Sequence, residues 1–178
     1  MSTLAVNTIT AETGNTVSLA SGKTLNASNG LITPVGHVIQ VVTYADNTNT
    51  GFQTASTSYV TSSVMPGATI TPKFSNSKIL IQAMIGMQYD ETGQIENTIY
   101  RTIGGTATDL SGGAGYGLAF KGVGTGTFWT ECSITWSDSP GTTNAVEYKW
   151  YSRAESAVSV TPLHHSTSVS MTLMEIAQ

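Results

Sequence analysis

The stretch Ser77–Asp90, reading Ser-Lys-Ile-Leu-Ile-Gln-Ala-Met-Ile-Gly-Met-Gln-Tyr-Asp, constrains this chain more than any other. Ile79, Ile81, Ala83, Ile85, Met87 and Tyr89 recur at period 2, and Leu80, Gln82, Met84, Gly86 and Gln88 fill the alternate positions. Successive side chains of a strand point to opposite faces, so the pattern predicts a strand with one apolar face and one mixed face. At about 3.3 Å per residue it spans roughly 35–40 Å. Helix is the competing reading of so apolar a run. The alternation is cleaner than any 3.6-residue period, and Gly86 would weaken a helix. Such a strand belongs in the middle of a two-layer sheet structure.

The same reasoning divides the rest of the chain. Residues 1–36 carry isolated apolar residues (Leu4, Val6, Ile9, Val17, Leu19, Leu25, Leu31, Ile32) among Thr, Ser, Asn, Gly and Ala. Val6–Thr10, Asn15–Leu19 and Gly22–Asn26 read as short strands joined by turns. So few large side chains cannot offset an ordering cost of roughly 1–2 kcal/mol per residue. The segment is either a disordered tail or a stem that orders by winding with copies of itself or lying on another protein; the second reading is preferred. Pro34-Val-Gly36 reads as the hinge, since Pro34 fixes φ and Gly36 permits a bend.

From His37 the pattern is globular. Strands are expected over His37–Tyr44, Tyr59–Val64, Ala68–Thr71, Ile95–Ile103, Thr127–Asp138, Ala145–Arg153, Ala157–Leu163 and Thr167–Ala177, with Ala45–Ser58 and Gly104–Gly117 as loops. In Thr127–Asp138 the residues Phe128, Cys132, Ile134 and Trp136 fall near one face. Eight or nine strands in about 140 residues, with no convincing helix, suit an all-β head of jelly-roll type, a β-sandwich spanning 37–178.

Composition agrees and excludes several functions. Only 10% of the 178 residues are charged, against the usual quarter, while Ser and Thr exceed a quarter and 39% are hydrophobic. Low charge with abundant Thr, Val and Ile is a β composition. Net charge is −4 and the seven Lys and Arg are scattered, so no basic stripe exists for nucleic acid. No 18-residue apolar run predicts a membrane span. Met1-Ser-Thr-Leu-Ala-Val-Asn has neither a basic region nor an apolar core, so it is not read as a signal peptide. Asn26-Ala-Ser28 matches a glycosylation acceptor but has little meaning without such a signal. Cys132 is the single cysteine and excludes an internal disulfide; in a strand it reads as a small buried hydrophobe. Synthesis in a reducing cytosol follows.

Candidate chemistry is sparse. Gly112–Gly117 and Gly122–Gly126 are glycine-rich but lack the strand, helix and Lys-Ser/Thr ending of a phosphate loop, so they read as loops. His164, His165 and His37 are the only histidines. Adjacent strand residues point apart, so His164 and His165 are not expected to chelate one ion. Asp90, Glu91 and Glu96 lie around one turn. Paired carboxylates can hydrolyse glycosides, but a solvated acidic turn is the plainer reading. No Gly-x-Ser-x-Gly element supports a serine hydrolase. Trp129, Trp136, Trp150, Tyr148 and Tyr151 either line a carbohydrate groove or serve as core and subunit-interface aromatics. Neither a catalytic, a cofactor-binding nor a metal residue is assigned, and the expectation is a protein that is not an enzyme.

Several phrases resemble those of phage virion appendages, in particular short fibre-like and decoration proteins of cyanophages and marine podoviruses. They are Leu4-Ala-Val-Asn-Thr-Ile-Thr with Thr24-Leu-Asn, Gly36-His-Val-Ile-Gln-Val-Val, Thr71-Pro-Lys-Phe-Ser-Asn-Ser-Lys-Ile-Leu-Ile, Trp136-Ser-Asp-Ser-Pro and Leu173-Met-Glu-Ile-Ala-Gln. The resemblance implies a homotrimer with an N-terminal β stem (1–36) and a jelly-roll head similar to those of tumour necrosis factor and complement C1q. It implies a virion-surface location, with the major capsid protein or a tail protein as partner of the stem, and a host surface glycan as a partner of the head loops. Only about 35 residues precede the head, and no separate adaptor stands before them. That favours a capsid decoration, cement or head-fibre protein over a tail fibre or receptor-binding protein, with a polysaccharide-degrading tailspike third.

Overall fold

The computed structural model describes residues 21, 34–47, 50–89, 93–122, 127–165 and 167–178. The expected strands of the stem, the acidic pair Asp90 and Glu91, the acceptor Asn26 and most of Gly122–Gly126 lie outside these residues.

The described residues contain eleven strands and no helix, within the unit Thr33–Gln178. The strands are β1 (Val38–Asp46), β2 (Phe52–Thr54), β3 (Gly67–Ile70), β4 (Lys78–Tyr89), β5 (Ile95–Ile103), β6 (Thr106–Asp109), β7 (Ala119–Lys121), β8 (Phe128–Asp138), β9 (Val146–Ala154), β10 (Val160–Leu163) and β11 (Val169–Ile176). They form two antiparallel sheets in a β-sandwich-like arrangement. In the first, β4 lies between β11 and β8, β1 flanks β11, and the pair β10–β2 joins the far end of β4. In the second, β9 lies between β3 and β5, and β5 also pairs with β6 and β7.

The long apolar strand is β4, and it is central. Ile79, Ile81, Ala83, Ile85 and Met87 are buried, while Gln82 and Met84 are exposed on the opposite face. Its inner face meets Ile95, Ile99, Val146, Tyr148 and Trp150 of the second sheet in one shared core. β11 repeats the alternation with Val169, Met171 and Leu173 inward.

Three buried polar clusters pin the sheets and their loops. Asp138 of β8 accepts two hydrogen bonds from Arg101 of β5 (2.9 and 3.0 Å) and one from the Tyr148 hydroxyl of β9 (2.7 Å). This ties one sheet to the other, and burial with the Asp138 contact pushes the Tyr148 phenol far up. Asn97 accepts from the Trp150 indole N–H (3.0 Å) and the Ser152 hydroxyl (2.7 Å) in the core. Glu175, fully buried, accepts from the backbone N–H groups of Lys73 (2.7 Å) and Phe74 (3.2 Å) and from Gln40 (2.6 Å), fastening the 71–74 loop. Buried polar groups carry a desolvation cost of about 1–3 kcal/mol when unpaired, so each cluster also enforces its own register.

Several expectations are corrected. The span Gly104–Gly117 is not one loop. Gly104 and Gly105 both take positive φ (56° and 84°), as a two-residue hairpin turn requires, and Thr106–Asp109 pairs with β5 as β6. Ala45–Ser58 contains β2, paired with β10. Tyr59–Val64 is not a strand; only Val60 bridges, to Ser152. At the hinge, Gly36 has φ 88°, and its N–H donates to Ala177 C=O (2.9 Å), continuing the β1–β11 ladder.

Candidate functional site

Each strand of the first sheet runs between two ends. Val38, Lys78, Asp138 and Ile176 lie toward the end where the chain enters at Pro34. Tyr89, Phe128 and Val169 lie toward the other. At about 3.3 Å per residue along β4 the two ends are roughly 35 Å apart. A groove of 460 Å³ opens at the far end, lined by Gly86, Met87, Trp129, Thr130, Glu131 and Thr167.

Gly86 marks a close approach of backbone and side chain at the groove. Here β4 changes neighbours, from β11 over residues 78–84 to β10 at Gln88, and the His164–Thr167 turn crosses the strand. His164 N–H donates to Gly86 C=O (2.9 Å), and the Thr167 hydroxyl bonds Gly86 C=O (3.2 Å) and His164 C=O (2.8 Å). A Cβ on Gly86 would stand 2.4, 2.5 and 2.8 Å from three atoms of the Thr167 side chain. A glycine inside a strand commonly marks such a close approach.

Register sets the remaining walls. Gln88 opposes Trp129 and Gly86 opposes Glu131, so Trp129 and Glu131 project from the outer face of β8. The Trp129 indole is 65% exposed, and the His164 ring meets it edge-on at 6.4 Å between centroids. His164 in turn lies 4.2 Å from the His165 ring. The two histidines occupy a turn rather than a strand, so adjacency does not send their rings to opposite faces as expected from the sequence. Partial burial, then the neighbouring His165, holds the His164 pKa below its usual value. His37 is exposed on the chain's entry into β1, toward the other end of the sheet. Among the described residues no group of three or more His, Cys, Asp or Glu stands together as a metal site.

The other sequence candidates separate. Trp150 and Tyr148 are fully buried core residues, whereas Trp136 is 40% exposed on the Cys132 side of β8. Tyr151 stacks on Tyr100 (4.3 Å) on the outer face of the second sheet. Cys132 is 5% exposed in β8, and burial pushes its thiol up to about 11, an inert state for a nucleophile. Glu96 is not part of a solvated acidic turn. It is 2% exposed and is held by Arg153, its register partner across β5–β9. Arg153 also donates to Gly115 C=O (2.6 Å) and lies over the Tyr59 ring (4.6 Å). Gly112, Gly113 and Gly117 take positive φ in the turn after β6, where Leu110 and Leu118 N–H bond back to β5. The sequence reading missed Gly86, Glu131 and Thr167 as groove residues. The lone glycine within an apolar strand was the available signal.

No protein-family model matches the chain, and no curated protein matches it.

Proposed function

We propose that this chain is a non-enzymatic structural protein of a phage virion. It is a homotrimer, attached to the major capsid protein or a tail protein through residues 1–36. It displays residues 37–178 on the virion surface as a capsid decoration, cement or head-fibre protein.

The observation that carries this reading is the nesting of the strand pairs. With the short strands β2, β7 and β10 set aside, eight strands remain. The first pairs with the eighth (β1–β11), the second with the seventh (β3–β9), the third with the sixth (β4–β8) and the fourth with the fifth (β5–β6). An antiparallel ribbon nested in this way and wrapped into two sheets supports a jelly-roll reading of the sandwich. That is the head architecture the sequence resemblance implies.

Trimer formation draws support from two features. β1 and β8, nine and eleven residues long, each have a strand partner on one side only among the described residues, and neither contains the Lys or Pro that keeps edges from pairing. Val35, Val38, Val41 and Phe74, 44–74% exposed, gather near the end where residues 1–33 join. Packing copies around that end would cover them. Light scattering of the full chain should give about three times 18.6 kDa. A monomer at micromolar concentration refutes the trimer. In purified particles a decoration protein approaches the abundance of the major capsid protein on a stained gel, whereas a faint band refutes the decoration role.

A second reading, a short tail fibre or receptor-binding protein, is favoured by one observation. The exposed Trp129 groove lies at the end of the first sheet opposite Pro34, where a host glycan would be met. Glycan hydrolysis through Glu96 is disfavoured, because Arg153 engages that carboxylate in a buried pair. Release of oligosaccharide from host glycans, abolished by Glu96→Gln, refutes the non-enzymatic role.

A further inference from the structure

We infer that the groove beside Trp129 binds a neutral carbohydrate, stacked by its C–H face on the indole and hydrogen-bonded at its rim to Glu131. This deepens the adsorption reading and rests on it for its biological role; the binding itself rests on the geometry.

Leaving a side chain of this size in water forgoes about 1.5–3 kcal/mol of burial, and Trp129 is 65% exposed where Trp150 is fully buried. The Trp129 ring has an aromatic neighbour on one side. His164 stands edge-on to it and is itself tied by its N–H to Gly86 C=O. A tryptophan side chain has only two χ angles to fix, so it loses little conformational entropy when a ligand lands on it. The groove's 460 Å³ falls within the roughly 300–1,000 Å³ of small-ligand sites.

The lining selects the ligand class. The Glu131 carboxylate only accepts hydrogen bonds, the Trp129 N–H only donates, and the Thr167 hydroxyl offers a further lone pair. A pyranose matches both halves of this surface, with hydroxyl donors at its rim and an apolar C–H face. None of the described lining residues is cationic, so phosphate, sulfate and carboxylate ligands find no countercharge. Quaternary ammonium ions are held by cages of several aromatic walls, and a single indole lines this groove.

The test uses the full-length protein with Trp136→Phe, so that emission comes from Trp129 and the buried Trp150. Neutral hexasaccharides of glucose, N-acetylglucosamine, mannose and galactose are titrated while tryptophan emission is read. At least one is expected to give a saturable change. Measured by titration calorimetry, which does not depend on the indole, Trp129→Ala should weaken binding roughly tenfold or more, equivalent to about 1.4 kcal/mol. Glu131→Gln should weaken it about threefold or more through the lost charged acceptor. Trp129→Tyr should retain most of the affinity. Three results overturn the inference: no saturable change with any sugar, unchanged affinity in Trp129→Ala, or failure of acrylamide to quench Trp129 because a second copy covers it. Displacement of the sugar by tetramethylammonium overturns the neutral-ligand assignment. If Trp129→Ala abolishes sugar binding while particles carrying it adsorb normally, the site stands and the adsorption role falls.

Discussion

Gly86→Ala isolates the contact that shapes the far end of the first sheet. Gly86 is absent from the glycines with positive φ, so an alanine there meets no backbone penalty and the effect is steric alone. The new methyl would lie 2.4 Å from Thr167 Cγ2, 2.5 Å from its Cβ and 2.8 Å from its Oγ1. Carbon atoms pack best at roughly 3.5–4.0 Å, so the turn must retreat by about 1 Å. Threonine cannot swing aside, since its branched side chain is stiff at χ1 and its hydroxyl is bonded to Gly86 and His164. Overpacking of this kind costs roughly 1–3 kcal/mol. Weakening the two bonds to Gly86 C=O adds about 0.5–1.5 kcal/mol each. Loss of unfolded-state freedom returns about 0.4–1 kcal/mol. The expected net loss is about 3 kcal/mol, read as a lower denaturant midpoint at unchanged m-value. For a domain of this size it lowers Tm by roughly 5–10 °C. Thr167→Gly removes all three clashing atoms, so the double variant should recover at least about 1 kcal/mol relative to additivity. A Gly86→Ala protein as stable as the parent, or strict additivity with Thr167→Gly, would refute the argument.

Two further outcomes follow from buried groups. Burial raises the Cys132 thiol from 9.0 to about 11 and, as the largest cause, the Tyr59 phenol from 10.0 to about 12. The folded state therefore keeps protons that the unfolded chain releases, so stability is whole below about pH 9 and falls as pH rises toward about 12. Tm measured against pH should show this fall, and Cys132→Ala should flatten it between pH 9 and 11; a flat curve in the parent protein refutes the assignment. Arg101→Leu leaves Asp138 with one of these three hydrogen bonds, that from the Tyr148 hydroxyl, and should cost roughly 3 kcal/mol in chemical denaturation. A cost under about 1 kcal/mol would mean that solvent already screens the pair.

Strand identity was legible wherever one face of a strand is apolar. β4, β9 and β11 announce themselves by alternation, and β5 begins at Ile95 and ends at Ile103 as the sequence predicts. The β6 hairpin was not legible in this way, because Thr106-Ala-Thr-Asp has no apolar face and is held by ladder bonds to β5. Gly104-Gly105 was its one local sign. Burial of β5 on both faces was also hidden. Glu96 and Thr98 look like outward residues, yet Arg153, Tyr59, Asp109 and the turn after β6 cover them.

By itself the sequence determined an all-β head, a central strand within Ser77–Asp90 and its inward set of Ile79, Ile81, Ala83, Ile85 and Met87, because period-2 hydrophobicity is a local property that burial must obey. Tertiary structure alone decided which polar residues meet. Glu96 finds Arg153 and Arg101 finds Asp138 only through the β5–β9 register and the stacking of the two sheets. Trp129, Glu131, Gly86 and Thr167 converge through the β4–β8 register on one edge of β4 and the change from β11 to β10 on the other. Such pairings depend on register and on which strands are neighbours, and both are set by the whole chain's nested folding rather than by any stretch of it.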